Sequence, residues 1–132
     1  GEPIEVYNYG EMMRDFTYID DTIESIYRLL NKPACLDKSF DSKHPNPSRS
    51  WSPHMVFNIG NSQPTKLISF IEAIESELNI KAIKKLIKIQ PGDVTTTYAD
   101  TSLLENWINY KPSTPIEEGI EKFTKWYLSY YR

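Results

Sequence analysis

Apolar and polar positions first alternate at Ile4-Glu5-Val6-Tyr7-Asn8, the period-two pattern of a short half-buried strand. Tyr9-Gly10-Glu11 then predicts a turn, and Phe16-Thr17-Tyr18-Ile19, rich in strand formers, predicts a second strand. Asp20 or Asp21 is placed to cap a helix, since a short side-chain oxygen accepts from the free amides of a first turn. Ile23, Ile26, Tyr27 and Leu30 follow at helical spacing on one face, and Pro33 ends the element. From Pro33 to Pro53 the pattern dissolves. Four prolines, five serines and scattered charges predict an irregular loop over 33–54, of the length usually found in functional lids or mobile insertions.

Order returns at Val56-Phe57-Asn58-Ile59-Gly60-Asn61, which predicts a strand ending in a turn. Thr65 to Leu78 predicts a helix striped by Leu67, Ile71, Ile74 and Leu78, and Ile83 to Ile89 predicts a further strand. Gln90-Pro91-Gly92-Asp93 reads as a turn, and Asp100 or Thr101 starts a short helix holding Leu103, Leu104 and Trp107. The final helix is announced by Thr114-Pro115-Ile116-Glu117: a capping threonine, a proline at the first helical position and a glutamate placed to return the capping bond. Its apolar face is Ile116, Ile120, Phe123, Tyr127 and Tyr130. Strands and helices mix without an internal repeat, so the fold class is α/β or α+β, in a single unit over 1–132.

Composition narrows the function classes. With 15 basic and 18 acidic residues the net charge is −3, which argues against a general nucleic-acid binder. A 39% hydrophobic, 25% charged chain without a long apolar run describes a globular protein with no membrane segment. The lone Cys35 cannot form an internal disulfide and points to a reducing, cytoplasmic setting. Gly1-Glu2-Pro3-Ile4 opens the chain without a methionine, which suggests an excised segment.

Several catalytic devices have no residues to build them. The glycines stand at 1, 10, 60, 92 and 119, so no GxGxxG phosphate cradle exists. None of the seven tyrosines that could begin a Tyr-x-x-x-Lys pair has lysine four places later. His44 and His54 both fall in or beside the loop, and neither HExxH spacing nor a GxSxG elbow occurs, so no metal site or hydrolase triad is expected.

What remains suits an anion and a polar ligand. Arg14 can fork two hydrogen bonds to phosphate oxygens, and Asp93, behind Gly92, can project from a turn to accept from sugar hydroxyls. Tyr7 and Phe16 offer flat surfaces for a base. Each has a plainer use: Arg14 could pair with Asp15 or Asp20, Asp93 could be only a turn residue, and Phe16 and Tyr18 could be core.

Four segments in order carry a resemblance. Arg14-Asp15-Phe16-Thr17-Tyr18-Ile19-Asp20-Asp21 resembles the RDFTYVDD segment of extended short-chain dehydrogenase/reductases that act on nucleotide sugars. Phe57-Asn58-Ile59-Gly60-Asn61 resembles their next strand and turn. Gln90-Pro91-Gly92-Asp93-Val94 with Tyr98-Ala99-Asp100-Thr101-Ser102 resembles their PGDV…ADTS segment. Lys111-Pro112-Ser113-Thr114-Pro115-Ile116-Glu117-Glu118-Gly119-Ile120 resembles the start of their last helix. The subgroup most similar is the UDP-glucuronate 4-epimerase-like enzymes, in which glutamine before PGDV is usual. The resemblance runs from Pro3-Ile4 to Tyr131 and departs in the loop from Pro33 to His54.

The resemblance implies the carboxy-terminal, substrate-binding part of an extended Rossmann-like fold, without the half that holds NAD and the catalytic tyrosine and lysine. The parent would be an NAD-dependent isomerase of carbohydrate metabolism, commonly a homodimer, that oxidises a UDP-sugar at its fourth carbon and returns hydride to the opposite face. This portion alone would be inactive, with no catalytic or cofactor-binding residue of its own. Arg14 corresponds to a diphosphate contact and Asp93 to a ribose contact. Gln90 stands where UDP-galactose 4-epimerases carry a phosphate-binding arginine, and Tyr7 lies on the strand that approaches the uracil. A nucleotide-sugar 4,6-dehydratase or decarboxylase of the same superfamily, or a noncatalytic protein-interaction module, are the alternatives.

Overall fold

Two short strand ladders and four helices organise the described residues, 1–131, of the computed structural model. Strand β1 (Ile4–Val6) pairs in parallel with β4 (Lys84–Leu86), Ile4 opposite Lys84 and Val6 opposite Leu86. Strand β2 (Met13–Arg14) pairs antiparallel with β3 (Thr65–Lys66), and Met13 also bridges in parallel to Thr96. Between β1 and β2 lies the tight turn Tyr7–Gly10, whose Asn8, Tyr9 and Gly10 all hold positive φ. Gly10 is required there: its φ is +87°, and a Cβ would stand 2.5 Å from Ile68 Cδ1.

The strand expected at Phe16 to Ile19 does not form. Pairing stops at Arg14, residues 15–18 have no regular structure, and Ile19 already opens α1 (Ile19–Asn31). The cause is Asp15, whose N–H donates to the Thr97 hydroxyl instead of a ladder carbonyl. Residues 56–61 form no strand either; Met55 alone bridges, to Arg49. Beyond that bridge, among the described residues, only the Val56 N–H of this stretch finds a backbone partner, the Ser48 carbonyl at 3.0 Å, so no ladder propagates. The strands expected over 4–8 and 83–89 shorten to three residues each, and α2 (Leu67–Leu78) starts after β3 instead of at Thr65. The loop over 33–54 is irregular, as expected, and the Gln90–Asp93 turn closes with the Asp93 N–H donating to the Gln90 carbonyl at 3.2 Å.

Neither Asp20 nor Asp21 caps α1. Tyr18 takes the cap position without a side-chain bond, and both acids lie in the first turn, where negative charge suits the helix dipole. Asp21, 6% exposed, accepts instead from the Tyr110 hydroxyl at 2.7 Å and the Thr114 N–H at 2.9 Å. Those bonds tie α1 to the segment that follows α3 (Ser102–Ile108) and leads into α4 (Ile116–Tyr131). They also take the Thr114 N–H that Glu117 was expected to receive, so the reciprocal capping bond is not made. Burial opposes ionisation of Asp21, but the bonds from Thr114 and Tyr110 outweigh it and hold the carboxyl below the usual aspartate range. Desolvation and the Asp21 carboxylate together push the Tyr110 hydroxyl up to about 12.

A second buried carboxylate sets the other end. Glu75 on α2, 4% exposed, accepts from Lys84, from Lys81 at 3.0 Å and from the Ala82 N–H at 2.9 Å. Those donors hold its pKa at about 2, and they lock the link from α2 to β4.

The apolar core is Val6, Met12, Ile71, Leu104, Ile108 and Ile120, with α2 packed on α4. Against these six, twenty-two large hydrophobic side chains are exposed. Helix α1 is inverted relative to its pattern. It buries Asp21 and Ser25, while Ile19, Ile23, Ile26, Tyr27 and Leu30 face outward, Leu30 at 75% exposure. Helix α4 buries Ile120 and Thr124 but exposes Phe123, Tyr127 and Tyr130 of its expected core stripe. Those rings cluster instead with Trp126 and Tyr131, at centroid spacings from 4.8 to 6.5 Å.

Candidate functional site

Arg14 ends β2 and Asp93 ends the Gln90–Asp93 turn, 79 residues further along the chain. The Met13 bridge brings them together: its N–H donates to the Thr95 carbonyl at 2.8 Å, and its carbonyl accepts from the Thr97 N–H at 3.1 Å. With the segment leaving the turn fixed beside β2, Arg14 Nη2 donates to Asp93 Oδ1 at 3.0 Å. The two side chains remain 23% and 35% exposed. Of the partners considered from sequence, Asp15 and Asp20 are not the ones Arg14 uses.

The pair is a single-point contact, not the two-point fork that a guanidinium and a carboxylate can make. Arg14 Nη1 donates to the Met13 carbonyl at 2.9 Å, and Nη2 also approaches Met12 Sδ at 3.9 Å. Asp93 Oδ1 takes a second bond, from the Val94 N–H at 2.8 Å. Among the described residues Arg14 Nε and Asp93 Oδ2 have no hydrogen-bond partner. Each side chain thus keeps one polar atom beyond the pair, a donor on Arg14 and an acceptor on Asp93.

Asp15, which sequence reasoning passed over as a site residue, supports this arrangement. Its Oδ2 accepts from the Ser62 N–H at 3.1 Å and the Ala99 N–H at 3.0 Å, and its Oδ1 from the Gln63 N–H at 3.4 Å. The approach is close enough that a Cβ on Gly60 would lie 2.4 Å from Ala99 Cβ and 3.1 Å from Asp15 Oδ2. The available signal was position: an acid directly after the strand-ending arginine, with donors from two segments, Ser62–Gln63 and Ala99, to draw together.

The other two candidates stay apart from the pair. The Tyr7 hydroxyl donates to Glu5 Oε2 at 3.2 Å, and Gln90 is exposed, contributing its carbonyl to the turn. Neither hydrogen-bonds to Arg14 or Asp93 among the described residues. The segments that carry them run side by side, with the Tyr9 N–H donating to the Ile87 carbonyl and the Ile87 N–H to the Val6 carbonyl, both at 3.0 Å. One face of the Phe16 ring stacks on Phe70 at 4.2 Å and 6°. Both line an apolar cavity of about 340 Å³ between α2 and α4, which Arg14 and Asp93 do not line.

No family model matches the chain. It is 48% identical over 131 residues to Protein CapI of Staphylococcus aureus, aligning 99% of its own length with 39% of that protein. It is 40% identical to a probable UDP-glucuronate 4-epimerase of Rhizobium meliloti (strain 1021), aligning fully with 39% of that chain. The UDP-glucuronic acid 4-epimerase of Bacillus cereus, solved with UDP-glucuronic acid and NAD, superimposes with a TM-score of 0.73 at 25% identity, covering 98% of this chain and 36% of its own. The fold is thus part of an extended short-chain dehydrogenase/reductase. Along nearly its whole length the chain is similar to part of relatives named as UDP-glucuronate 4-epimerases. It spans about two fifths of the length of the first curated relatives it matches.

Among the described residues no helix is long and apolar enough to cross a membrane, and no cluster of three metal-ligating side chains occurs.

Proposed function

We propose that the chain is the carboxy-terminal, substrate-binding portion of an NAD-dependent epimerase that inverts a UDP-sugar at its fourth carbon, with a UDP-uronate as substrate class. One observation carries the reading: Arg14 and Asp93, singled out independently in sequence, meet at 3.0 Å, each with one polar atom beyond the pair. In this reading Arg14 holds the diphosphate, Asp93 receives the ribose hydroxyls, Gln90 donates its amide to phosphate, and Tyr7 flanks the uracil. The chemistry of oxidation and return of hydride belongs to NAD when it is bound by the rest of the parent. The residues here do not fit a dinucleotide cradle, because Gly10 and Gly92 sit in isolated turns and Gly119 lies inside α4. This portion supplies binding energy and orientation.

The test is a titration of the chain with UDP, followed by amide resonances. Shifts are expected at Arg14, Thr95 to Thr97 and Asp93. Arg14→Gln should weaken binding by about tenfold to a hundredfold, the value of one charge-assisted hydrogen bond. An unchanged spectrum at millimolar UDP overturns the reading. The exposed faces of α1 and α4 favour a second role, contact with further polypeptide. For that role a specific protein partner, captured without any response to UDP, is the distinguishing outcome.

A further inference from the structure

The insertion over 33–54 keeps its hydrogen bonds to itself. The Asp37 N–H donates to the Ser50 carbonyl at 3.2 Å, and the Val56 N–H donates to the Ser48 carbonyl at 3.0 Å, beside the bridge from Arg49 to Met55. The limb that enters the insertion and the limb that leaves it are therefore both fastened to residues 48–50. Between them the turns close on side-chain acceptors: Asp37 accepts from Ser39, Asp41 from the Lys43 N–H, and Asn46 from Ser48. Among the described residues, every hydrogen bond made by 33–54 ends within 33–56. A segment bonded in this way is a cooperative unit of its own, separate from the α1 helix before it.

Trp107, half-buried on α3, gathers both ends of that unit. At the entrance its Nε1–H donates to the Lys32 carbonyl at 2.9 Å, and the Lys32 ammonium donates back to the Trp107 carbonyl while lying 5.0 Å from the ring centroid. At the exit the ring meets Phe57 at a centroid spacing of 6.2 Å. Beneath the base it walls a cavity of about 90 Å³ together with Leu36, Arg49 and Met55. The C-terminal ends of α1 and α3 thus cap each other, each supplying a donor to a terminal carbonyl of the other.

We propose that Trp107 and Lys32 form a latch at the base of 33–54, and that releasing it lets the insertion swing as one body with its internal hydrogen bonds intact. This inference is independent of the nucleotide-sugar reading. The geometry favours such a collective opening over piecemeal fraying. The base is held by two hydrogen bonds and a cation–π contact from an exposed lysine, over a cavity that leaves the ring loosely packed. The interior is crossed by the Asp37 and Val56 backbone bonds and closed by turns between them, so melting it breaks more bonds than unlatching it.

Hydrogen exchange and relaxation dispersion, both read by NMR on the chain as it stands, test the latch. Lys32 is exposed, so Lys32→Met removes the ammonium with little effect on folding. The Trp107 Nε1–H should then exchange about three- to tenfold faster, the value of one hydrogen bond, while the Asp37, Arg49 and Val56 amides keep their wild-type rates. In Trp107→Phe, which keeps an aromatic ring and removes the Nε1 donor, residues 33–54 should share one microsecond-to-millisecond exchange rate. An unchanged Nε1–H rate in Lys32→Met refutes the latch. Interior amides that speed up with the indole refute the single body, because the insertion then melts with its base. Unrelated rates across 33–54, or no dispersion, in Trp107→Phe overturn the collective opening.

Discussion

Replacing Asp21 with alanine should unfold the join between α1 and α4 more effectively than any surface change of similar size. The Asp21 carboxylate is almost fully buried and accepts two hydrogen bonds, from Tyr110 at 2.7 Å and from the Thr114 N–H at 2.9 Å. A hydrogen bond to a charged group contributes about 1.5–3 kcal/mol, so Asp21→Ala should cost about 3–5 kcal/mol once partial relaxation is allowed. That is a large share of the stability of a chain this size, typically about 5–15 kcal/mol. Tyr110→Phe removes one bond and keeps the ring, so a loss of about 1.5–3 kcal/mol is expected. Urea unfolding followed by tryptophan fluorescence measures both, with Trp107 on α3 close to the affected segment.

The pH dependence supplies an independent signature. Asp21 has a folded pKa below its unfolded value, so its contribution is fully present above the unfolded pKa of about 3.9 and is lost as pH falls through the lower folded value. Tyr110 is raised to about 12, so its contribution is present below its unfolded pKa of about 10 and disappears as pH climbs toward 12. Asp21→Ala should remove its acid limb and reduce the alkaline one, leaving the part of the Tyr110 rise that burial causes. A variant within about 0.5 kcal/mol of wild type, the range of an ordinary surface substitution, with both limbs unchanged, would refute the claim that this carboxylate ties the two helices together.

Two further outcomes follow from packing. Gly60→Ala would press a methyl group into Ala99 and toward Asp15 Oδ2, and should cost about 1–3 kcal/mol in urea unfolding; a neutral effect would mean that the Asp15 junction yields easily. The double change Ile23→Glu and Leu30→Glu should leave the unfolding midpoint nearly unchanged, because both side chains are exposed, while abolishing concentration-dependent association in analytical ultracentrifugation. Clean monomer already at high concentration in the wild type would contradict the second expectation.

The local pattern made the helices legible because periodicity is a property of neighbouring residues. α1, α2, α3 and α4 lie where apolar spacing predicts them, and the Gln90–Asp93 turn forms where its proline and glycine predict it. Strands fared worse. Phe16 to Ile19 and Val56 to Asn61 have strand composition yet form none. The Asp15 N–H goes to the Thr97 hydroxyl and Ile19 already opens α1, while of residues 56–61 only the Val56 N–H reaches a backbone carbonyl among the described residues, and sequence does not say where such a ladder stops. The helix caps failed for a related reason. A short acid before a helix can serve its own first turn or a distant one, and Asp21 serves Tyr110 and Thr114, 89 and 93 residues away.

The sequence by itself determined the chemistry available: an arginine after a short strand, an aspartate after a turn glycine, and no glycine-rich cradle or Tyr-x-x-x-Lys pair. It also set the apolar stripe of α1, but not the direction that stripe faces, because a helix pattern names a face without naming what covers it. Only the tertiary structure decided that Arg14 and Asp93 share one site, through the Met13 bridge and the Asp15 junction. Only it decided that α1 buries its polar side, since Asp21 gains hydrogen bonds there while the isoleucines find nothing in these residues to pack against.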